Sequence, residues 1–578
     1  MTAEEIWRRK SDEDLGAAVE RLEEYTEEGR RIIRAELERR SSPDYLIEQE
    51  VSENQILEEM RKSVPARPIQ RHHTTWLVQR AALAIALMIG FYIFALVIAF
   101  VLLSIPLAEW TYLHRLDLRI AVACIGVGLA VLWALVPRID TFEPPGPRLD
   151  DSEYPHLFRV IRDVAASTSQ AEPAEVYLLN EVNAWVAHRG GAMGFGSRRV
   201  MGIGLPLLQA LSLGEFKAII AHEFGHYSSG DVKLGPWVYK TRGAIGRAIA
   251  GVHGTFIEAP FQWYGRQFLK LTHAVSRQQE FIADQVAARV AGAANLANAL
   301  RRVTALTPAY SSYLHEEVLP VLEAGFLPPI AGGFDEFLRA DSIAEASQRF
   351  VNIAETDGRT DLFDTHPSLR DRLTALSQAE GVCGSSAGEP ARVLVGDVDK
   401  QARSLVEFAW GRETVGRLKP IAWNVVGETV FASHWRATAK NYSKWLGQFS
   451  ADTVPSGQHA FIHIGSGLVR SDELDVNSGD RIARATYLLA VGIGAVLLDQ
   501  GWKAHTRPGM PVQFVRGSDT IEPFAAVRAL AEGVTASDAW RAECQALGIA
   551  GRPLGDPAAG GRTPKIPPTS GTRQGLPH

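Results

Sequence analysis

Two long uncharged segments dominate the hydrophobic pattern in the first quarter of the chain. The first covers Ala81–Ala108 and the second covers Ile120–Pro137. About 20 apolar residues in a helix, rising about 1.5 Å each, cross the hydrocarbon core of a bilayer. The pattern therefore predicts two transmembrane helices joined by a short loop within residues 76–140 of an integral membrane protein that contacts the lipid bilayer. The alternative is a buried helical hairpin in a large soluble core.

Basic residues flank these two segments unequally. The loop between them holds only Arg115 and Arg119, whereas the residues shortly before the first segment include Arg61, Lys62, Arg67, Arg71 and Arg80. Short loops rich in lysine and arginine stay on the cytoplasmic side of a membrane. We therefore expect both the amino terminus and the chain after the second segment to be cytoplasmic. Residues 1–30 lack the apolar core of a signal peptide.

The rest of the pattern predicts an α+β protein, mainly helical with a small sheet. Three short runs rich in β-favouring residues precede long helical patterns; the runs are Glu175–Asn180, Asn183–Arg189 and Arg198–Gly204. They belong to a domain predicted over residues 141–380, which begins with a proline-rich linker, Phe142–Arg148. We expect a charged helical region over 1–75, an accessory domain of unknown role over 391–550 and a disordered tail over 551–578. The apolar segment Ala485–Asp499 is too short to span and is interpreted as a buried helix or strand pair.

Composition excludes several classes of function. The chain has 578 residues with 60 basic and 66 acidic side chains, a net charge of −6. Without an excess of positive charge, we expect no nucleic-acid partner. Cys124, Cys383 and Cys544 are far apart and lack C-x-x-C spacing, which argues against a disulfide framework or a cysteine zinc site. Composition indicates neither the oligomeric state nor the substrate.

The motif H-E-F-G-H carries the candidate chemistry. Ser212 and Glu215 have the spacing of a capping box, so a helix is expected to begin there. His222 and His226 are then four residues apart on one face of that helix, where two imidazoles can hold a divalent ion. Glu223 is the candidate general base for a water that the metal activates. The alternative is two histidines on an ordinary helix.

A third metal ligand is predicted further along the chain. Catalytic zinc takes three protein ligands and keeps one position for water. Glu280 follows His226 by 54 residues, and Asp284 lies one helical turn after Glu280. Glu280 is the candidate third ligand, and Asp284 can accept a hydrogen bond from a ligating imidazole. An isolated E-x-x-x-D is usually a solvated acidic face, but the preceding H-E-x-x-H motif favours the metal interpretation.

H-E-F-G-H followed by S-R-Q-Q-E-F-I-A-D resembles the HtpX-like family of membrane zinc peptidases, which are gluzincins related to the CAAX prenyl endoproteases. The resemblance covers Arg148–Gln378. It implies a gluzincin-type zinc endopeptidase domain that binds Zn²⁺ and a protein or peptide substrate. It also implies a place in the bacterial inner membrane, with a role in quality control of membrane or envelope proteins.

The resemblance also assigns roles to residues that the motif alone does not identify. Asn183 and Ala184, in N-A-W-V-A-H-R, match the family's edge strand, which pairs with the substrate backbone. His366 and Arg372, in T-H-P-S-L-R-D-R-L, match the family's H-P segment and would stabilise the oxyanion. Without the resemblance, T-H-P-S is simply a helix start with proline in its first turn.

One departure from the family pattern concerns the interval Val232–Ser276. Many relatives have a second pair of spans there, but this interval contains Lys240, Arg242, Arg247, Glu258, Arg266 and Lys270. Its longest uncharged stretch is too short to cross a bilayer, so two spans are expected in total. Two alternatives remain for the whole protein: a prenyl-protein endopeptidase, or a catalytically silent zinc-binding membrane scaffold. Whether the interval touches the membrane is left open.

Overall fold

The computed structural model describes residues 74–136, 142–190, 198–228, 235–255, 257–356, 366–378, 388–468 and 478–556. The predicted helices up to residue 73 and residues 557–578 of the predicted tail lie outside these ranges. The described chain contains two compact units. The first comprises residues 74–311 and 344–416, and the second comprises residues 312–343 and 417–556.

Helices form most of the described chain, in agreement with the prediction of a mainly helical protein. In order they are α1 (Thr74–Ala108), α2 (Leu118–Leu135), α3 (Pro155–Ser167), α4 (Leu205–Ala210), α5 (Leu213–Ser228), α6 (Gly235–Gly251), α7 (Glu258–Ala291), α8 (Ala293–Ser312), α9 (Leu319–Glu323), α10 (Ile330–Arg339), α11 (Asp341–Thr356), α12 (Leu369–Ser377), α13 (Val398–Trp410), α14 (Arg412–Gly416), α15 (Trp423–Val426), α16 (Ala432–Asn441), α17 (Ser443–Leu446), α18 (Gln458–Ser466), α19 (Ser478–Asp499), α20 (Pro523–Ala531) and α21 (Ser537–Ala546).

Strands are short and form three small sheets. They are β1 (Arg148–Leu149), β2 (Glu175–Leu179), β3 (Ala184–Arg189), β4 (Arg198–Gly204), β5 (Phe326–Leu327), β6 (Lys419–Pro420), β7 (Lys503–His505), β8 (Gln513–Arg516) and β9 (Asp519–Ile521). The three strands predicted from sequence are confirmed as β2, β3 and β4. They join β1 in one sheet of order β1-β2-β4-β3, in which β2 and β4 are parallel and the other pairs antiparallel. Strand β3 is therefore an edge strand.

Helices α1 and α2 carry the two uncharged segments. A π-helical stretch, Glu109–Leu113, extends α1, and each of the two helices contains an apolar window of 18 residues. Each window is less than a third buried, so most of its side chains face outward. A soluble protein rarely exposes contiguous apolar surface on that scale. Both helices are long and apolar enough to cross a membrane, which indicates an integral membrane protein.

The first unit continues the two membrane helices into a helical bundle. Helices α6 and α7 pack against α1 and α2 around a shared apolar core that includes Phe91, Ala99, Ala248 and Phe261. Past this core, α7 continues without a break to Ala291 and packs along α5. Helix α5 in turn lies against edge strand β3. The sheet, α5 and α7 therefore meet in one place.

The second unit is organised around α19. This helix has 22 residues, longer than the predicted apolar segment, and also qualifies by length and composition as a candidate span. Half of its apolar window is buried, against α16, α18 and α20. Residues 551–556 join the same core, where Leu554 is 4% exposed. The folded chain thus extends beyond the predicted end of the accessory domain at residue 550.

Candidate metal centre

The helix with the H-E-F-G-H motif begins as the sequence predicts. The backbone N–H of Ser212 donates to the Glu215 carboxylate at 2.8 Å, and the N–H of Glu215 donates to the Ser212 hydroxyl at 3.3 Å. These two bonds form a capping box, which satisfies N–H groups that the first turn leaves free. The predicted start of α5 is therefore confirmed. Its position fixes where His222 and His226 emerge from the helix.

A glycine allows α5 and α7 to approach closely. A Cβ atom at Gly225 would lie 2.8 Å from the Cα of Ala283, closer than real Cβ atoms come to a backbone. The absence of a side chain at Gly225 thus lets the two helix backbones touch between the two histidines and the acidic pair of α7. The contact brings ligands from distant parts of the sequence to one point.

The three predicted ligand side chains converge. Nε2 of His222 lies 3.2 Å from Nε2 of His226. Nε2 of His222 lies 3.4 Å from Oε2 of Glu280, and Nε2 of His226 lies 3.6 Å from Oε1 of Glu280. Zinc bonds of about 2.0–2.1 Å in a tetrahedron place neighbouring ligand atoms about 3.3–3.4 Å apart. The three separations are close to that value, with one oxygen of Glu280 facing each histidine, as expected for side chains that surround one ion.

The burial of Glu280 also fits a metal. The side chain is 3% exposed, and Oε2 has no hydrogen-bond partner among the described residues. A buried carboxylate oxygen without a partner is costly unless a cation neutralises it. Two imidazole nitrogens and one carboxylate oxygen form a donor set suited to zinc. His222, His226 and Glu280 can therefore hold a metal ion.

The protonation of the two histidines differs because their neighbours differ. Burial lowers the pKa of His226 to about 4, so its imidazole is neutral and available as a ligand. Burial also disfavours the charge on His222, but the carboxylates of Asp284 and Glu280, at 3.0 and 3.4 Å from its ring nitrogens, overcome this effect and raise its pKa to about 9. The two carboxylates thus favour a positive charge beside them, which a metal cation would supply in place of the proton.

Asp284 orients His222 and is itself held by Arg372. Oδ1 of Asp284 lies 3.0 Å from Nδ1 of His222, on the ring edge opposite the candidate metal position. The guanidinium of Arg372 donates to both oxygens of Asp284, at 2.6 and 2.9 Å. Burial disfavours the charge on Asp284, but the bonds to His222 and Arg372 lower its pKa. The carboxylate is therefore ionised and fixed in orientation.

Arg372 and His366, the two residues predicted to stabilise the oxyanion, differ in burial, and Arg372 is the more buried. Its side chain is 12% exposed, and Nη1 lies 3.6 Å from Oε2 of Glu280. His366 is more open: its side chain is 67% exposed, and Nδ1 lies 2.9 Å from Oε1 of Glu280. The hydrogen bond to Glu280 raises the pKa of His366. The structure thus brings both residues to the cluster but gives them different surroundings.

Glu223 lies on α5 between the two histidines in sequence and is half-buried. Burial raises its pKa to about 7. A carboxyl group with a pKa near neutrality can both accept and return a proton, as a general base requires. A nearby metal cation would favour the ionised form of Glu223.

Tyr227, a residue that sequence reasoning missed, connects the edge strand to α5, the helix that carries His222 and His226. The hydroxyl of Tyr227 donates to the carbonyl of Val186 in β3 at 2.6 Å, and burial raises its pKa to about 12, so it stays protonated. The N–H of Gly204 donates to the carbonyl of Asn183, so these two residues form a hydrogen-bonded pair. In an antiparallel pair, hydrogen-bonded and non-hydrogen-bonded positions alternate. The N–H and C=O groups of Ala184 and Val186 therefore point away from β4. The Tyr227 hydroxyl is therefore hydrogen-bonded to the carbonyl of Val186, which faces outward at the free edge of β3. An aromatic residue in a helix gives no sequence signal for this role.

Asn183 and Ala184 stand at the start of that edge. Asn183 is exposed and directly precedes β3, and Ala184 is the first residue of the strand. The outward N–H and C=O of Ala184 are positioned for pairing with an added strand. The structure thus places Ala184 on, and Asn183 directly before, an edge strand that packs against α5.

Comparison with known proteins shows what this region is similar to. Residues 151–380 match the family model of Peptidase family M48. Protease HtpX of Stutzerimonas stutzeri is 25% identical over 220 residues, covering 34% of this chain and 66% of that protein. Protease HtpX of Acinetobacter baylyi is 25% identical over 224 residues, covering 34% and 65%, and that of Acinetobacter baumannii is 26% identical over 197 residues, covering 30% and 56%. The chain therefore spans less than two thirds of the length of these relatives. No solved structure matches it.

Proposed function

We propose that this chain, which carries a domain of peptidase family M48, is a membrane-anchored zinc endopeptidase. The observation that carries the proposal is the convergence of His222, His226 and Glu280, whose ligand atoms all lie within 4.8 Å of one another. The buried Oε2 of Glu280, which makes no hydrogen bond within the described residues, supports a cation at that point. Members of the family are metalloproteases, and zinc is the metal that this donor set favours.

The residues around the ligands support hydrolysis of a peptide bond. When bound, zinc supplies Lewis acidity and lowers the pKa of water to about 7. Glu223 would take a proton from the attacking water and return it to the leaving amine. Asp284 would hold the His222 ring through Nδ1, with Arg372 fixing Asp284 by its two hydrogen bonds.

Substrate would bind at the free edge of β3. An extended peptide can add to the edge through the backbone of Ala184, next to Asn183. His366, the more exposed of the two cationic groups, is suited to stabilise negative charge on the carbonyl oxygen. Arg372 would add positive charge from behind the carboxylates, at 3.6 Å from Glu280.

The biological setting is proposed from the membrane helices and the relatives. Two spans would anchor the enzyme in a bacterial inner membrane, with the amino terminus and the catalytic domain in the cytoplasm. Its substrates would then be membrane or envelope proteins whose quality it controls. The domains predicted from sequence over residues 141–380 and 391–550 remain part of this proposal, with the second extended to residue 556.

The test compares Glu223→Gln with the unchanged protein. We expect purified Glu223→Gln to bind zinc normally and to cleave neither casein nor a membrane-protein substrate. The matched control is Glu215→Gln on the same helix, because glutamine preserves the capping box. Zinc content and chelator-sensitive cleavage are measured for all three proteins. Cleavage by Glu223→Gln would remove Glu223 as the base, and zinc without cleavage in the unchanged protein would favour the silent scaffold.

A further inference from the structure

We propose that α6 and the first half of α7 form a re-entrant membrane hairpin. In this arrangement the two helices enter the bilayer beside α1 and α2 from the side that carries the peptidase domain, turn within the lipid and leave on the same side. The occupant of their outer surface is therefore lipid. The inference rests on the proposal that α1 and α2 cross the membrane. It does not depend on zinc or on peptidase activity.

Specific contacts fix the level that the hairpin reaches. A Cβ atom at Gly251, the last residue of α6, would lie 3.5 Å from the Cβ of Ala130 in α2. On the other arm, the ring of Phe261 packs edge to face against Phe94 of α1, with centroids 5.1 Å apart. The hydroxyl of Tyr264 donates to the carbonyl of Leu87 at 2.6 Å. Both arms are thus tied to the membrane helices.

The depth of these contacts follows from helix geometry. Ala130 lies 12 residues from Leu118, where α2 begins, and Phe94 lies 14 residues from Ala108, where α1 ends. At about 1.5 Å per residue the two contacts are about 18 and 21 Å from the far ends of the spans. The hydrocarbon core is about 30 Å thick, so both lie about 10 Å inside it from the peptidase side. The two independent distances agree.

The composition of the hairpin tip suits this depth. Residues 248–265 contain no lysine or arginine and one acidic residue, Glu258. Its carboxylate accepts hydrogen bonds from the Gly254 N–H at 2.8 Å and from the Gln262 amide at 2.7 Å, and lies 3.2 Å from Nδ1 of His253. Such partners are what an acidic group needs inside a membrane. Trp263 is 60% exposed and presents an apolar ring outward.

Cations mark the level at which the hairpin leaves the lipid. Arg242, Arg266 and Lys270 are exposed on the arms above the tip. Arg247 donates to the carbonyl of Ala134, one residue before the end of α2, at 3.0 Å. Long cationic side chains at a membrane surface reach the lipid phosphates. The apolar part of each arm is much shorter than the roughly 20 residues that a span needs, so the hairpin turns back.

The experiment measures the accessibility of single cysteines in the full chain reconstituted into vesicles. The parent carries Cys124→Ala and Cys383→Ser and retains Cys544, which is fully buried. Ala259→Cys reports on the tip, Lys270→Cys on the base, Phe100→Cys on the lipid-facing side of α1, and Glu172→Cys on the water-exposed domain. We expect a membrane-impermeant maleimide to label the Glu172 and Lys270 variants. It should leave the Ala259 and Phe100 variants unlabelled from either side.

A second measurement does not depend on chemical labelling. Spin labels at the same positions report collision with oxygen, which partitions into lipid, and with a water-soluble nickel chelate. We expect the Ala259 position to resemble Phe100 and to differ from Glu172 in the ratio of the two collision rates. Labelling of the Ala259 variant from the peptidase side with Phe100 protected would overturn the hairpin alone, and labelling from the opposite side would make it a full span. Labelling of the Phe100 variant would instead overturn the spans.

Discussion

Each unit contains a pair of helices whose backbones approach closely at a glycine. One pair buries ionisable side chains, and the other buries mainly apolar side chains. In the first unit, Gly225 of α5 meets Ala283 of α7, and the side chains beside the contact are ionisable. In the second, a Cβ atom at Gly465 of α18 would lie 2.5 Å from the carbonyl oxygen of Arg481 in α19. Along α19 the buried side chains are mostly apolar, among them Leu489, Val491, Ile493 and Leu497.

Close packing of two helices therefore does not by itself determine whether the residues beside the contact form an apolar core or a metal site. Apolar burial along α19 stabilises the fold directly, at roughly 1.5–3 kcal/mol for each large side chain. Burial of Glu280 and Asp284 instead costs free energy unless a cation and fixed donors offset it. Metal binding should therefore stabilise the first unit, because the ion binds the folded site and only weakly the unfolded chain.

The strongest test of this comparison is Glu280→Gln. Loss of a direct ligand should exceed the roughly 10- to 100-fold loss of affinity that follows from removing a residue behind a ligand. We therefore expect zinc affinity to fall by more than about 100-fold and cleavage to be lost. Competition with a chromogenic chelator measures the affinity.

The counterpart in the second unit is Leu489→Ala. This variant removes a fully buried side chain from α19 and should lower the free energy of unfolding by about 2–5 kcal/mol. Zinc affinity should not change. If Leu489→Ala lost zinc, or if Glu280→Gln retained it, the proposed division between a metal-dependent and an apolar core would be wrong.

Substitution of the two glycines sharpens the comparison. Gly225→Ala and Gly465→Ala each insert a methyl group against backbone atoms, at 2.8 and 2.5 Å, so the helices must separate. Each should cost about 1–3 kcal/mol of stability, the usual range for overpacking. Only Gly225→Ala should also weaken zinc binding, because it moves the two histidines relative to Glu280. Equal zinc affinity in both variants, measured alongside thermal unfolding, would refute the role given to Gly225.

Asp284→Asn tests the residue that orients the His222 ring without binding the metal itself. The amide weakens the contact with His222 and removes the charge that faces Arg372. We expect zinc affinity to fall by roughly 10- to 100-fold, or about 1.4–2.7 kcal/mol. The control is Glu355→Gln, which breaks the ion pair with Arg301 in the same unit and should leave the affinity unchanged. Unaltered affinity in Asp284→Asn would place Asp284 outside the metal site.

Local spacing made the ligand set predictable from sequence. His222 and His226 share a helix face because they are four residues apart, and the capping box fixes the start of that helix. Glu280 lies on another helix; the preceding H-E-x-x-H motif and its own E-x-x-x-D spacing predicted its role, whereas its contact with the histidines is seen only in the structure. The sheet was predictable for β2, β3 and β4, but β1 has two residues and exists only through its pairing with β2.

Features that depend on contacts between distant parts of the chain could not be predicted from local sequence patterns. Tyr227 follows the motif directly, but only the fold shows that its hydroxyl reaches Val186. The level of the α6–α7 turn depends on contacts such as Gly251 with Ala130, whereas the hydrophobic pattern showed only that a full-length apolar run is absent there. Residues 312–343 belong to one compact unit with the carboxy-terminal residues, although they fall within the range that matches the peptidase family. No local pattern indicates that grouping.

A pH-dependent effect on stability concerns an ionisable group in the second unit. Glu317 accepts a hydrogen bond from the Gly509 N–H at 3.2 Å, yet burial raises its pKa to about 7. Because the folded state holds this proton more tightly than the unfolded state, stability should fall as pH rises from about 5 to 8. At about 1.4 kcal/mol per pKa unit, and with partial exposure, the loss should be roughly 1–3 kcal/mol. Glu317→Gln keeps an acceptor for Gly509 and should flatten this dependence, whereas Glu316→Gln, at an exposed neighbour, should retain it. Thermal unfolding at several pH values distinguishes them, and the same slope in both variants would show that Glu317 is ionised in the folded protein.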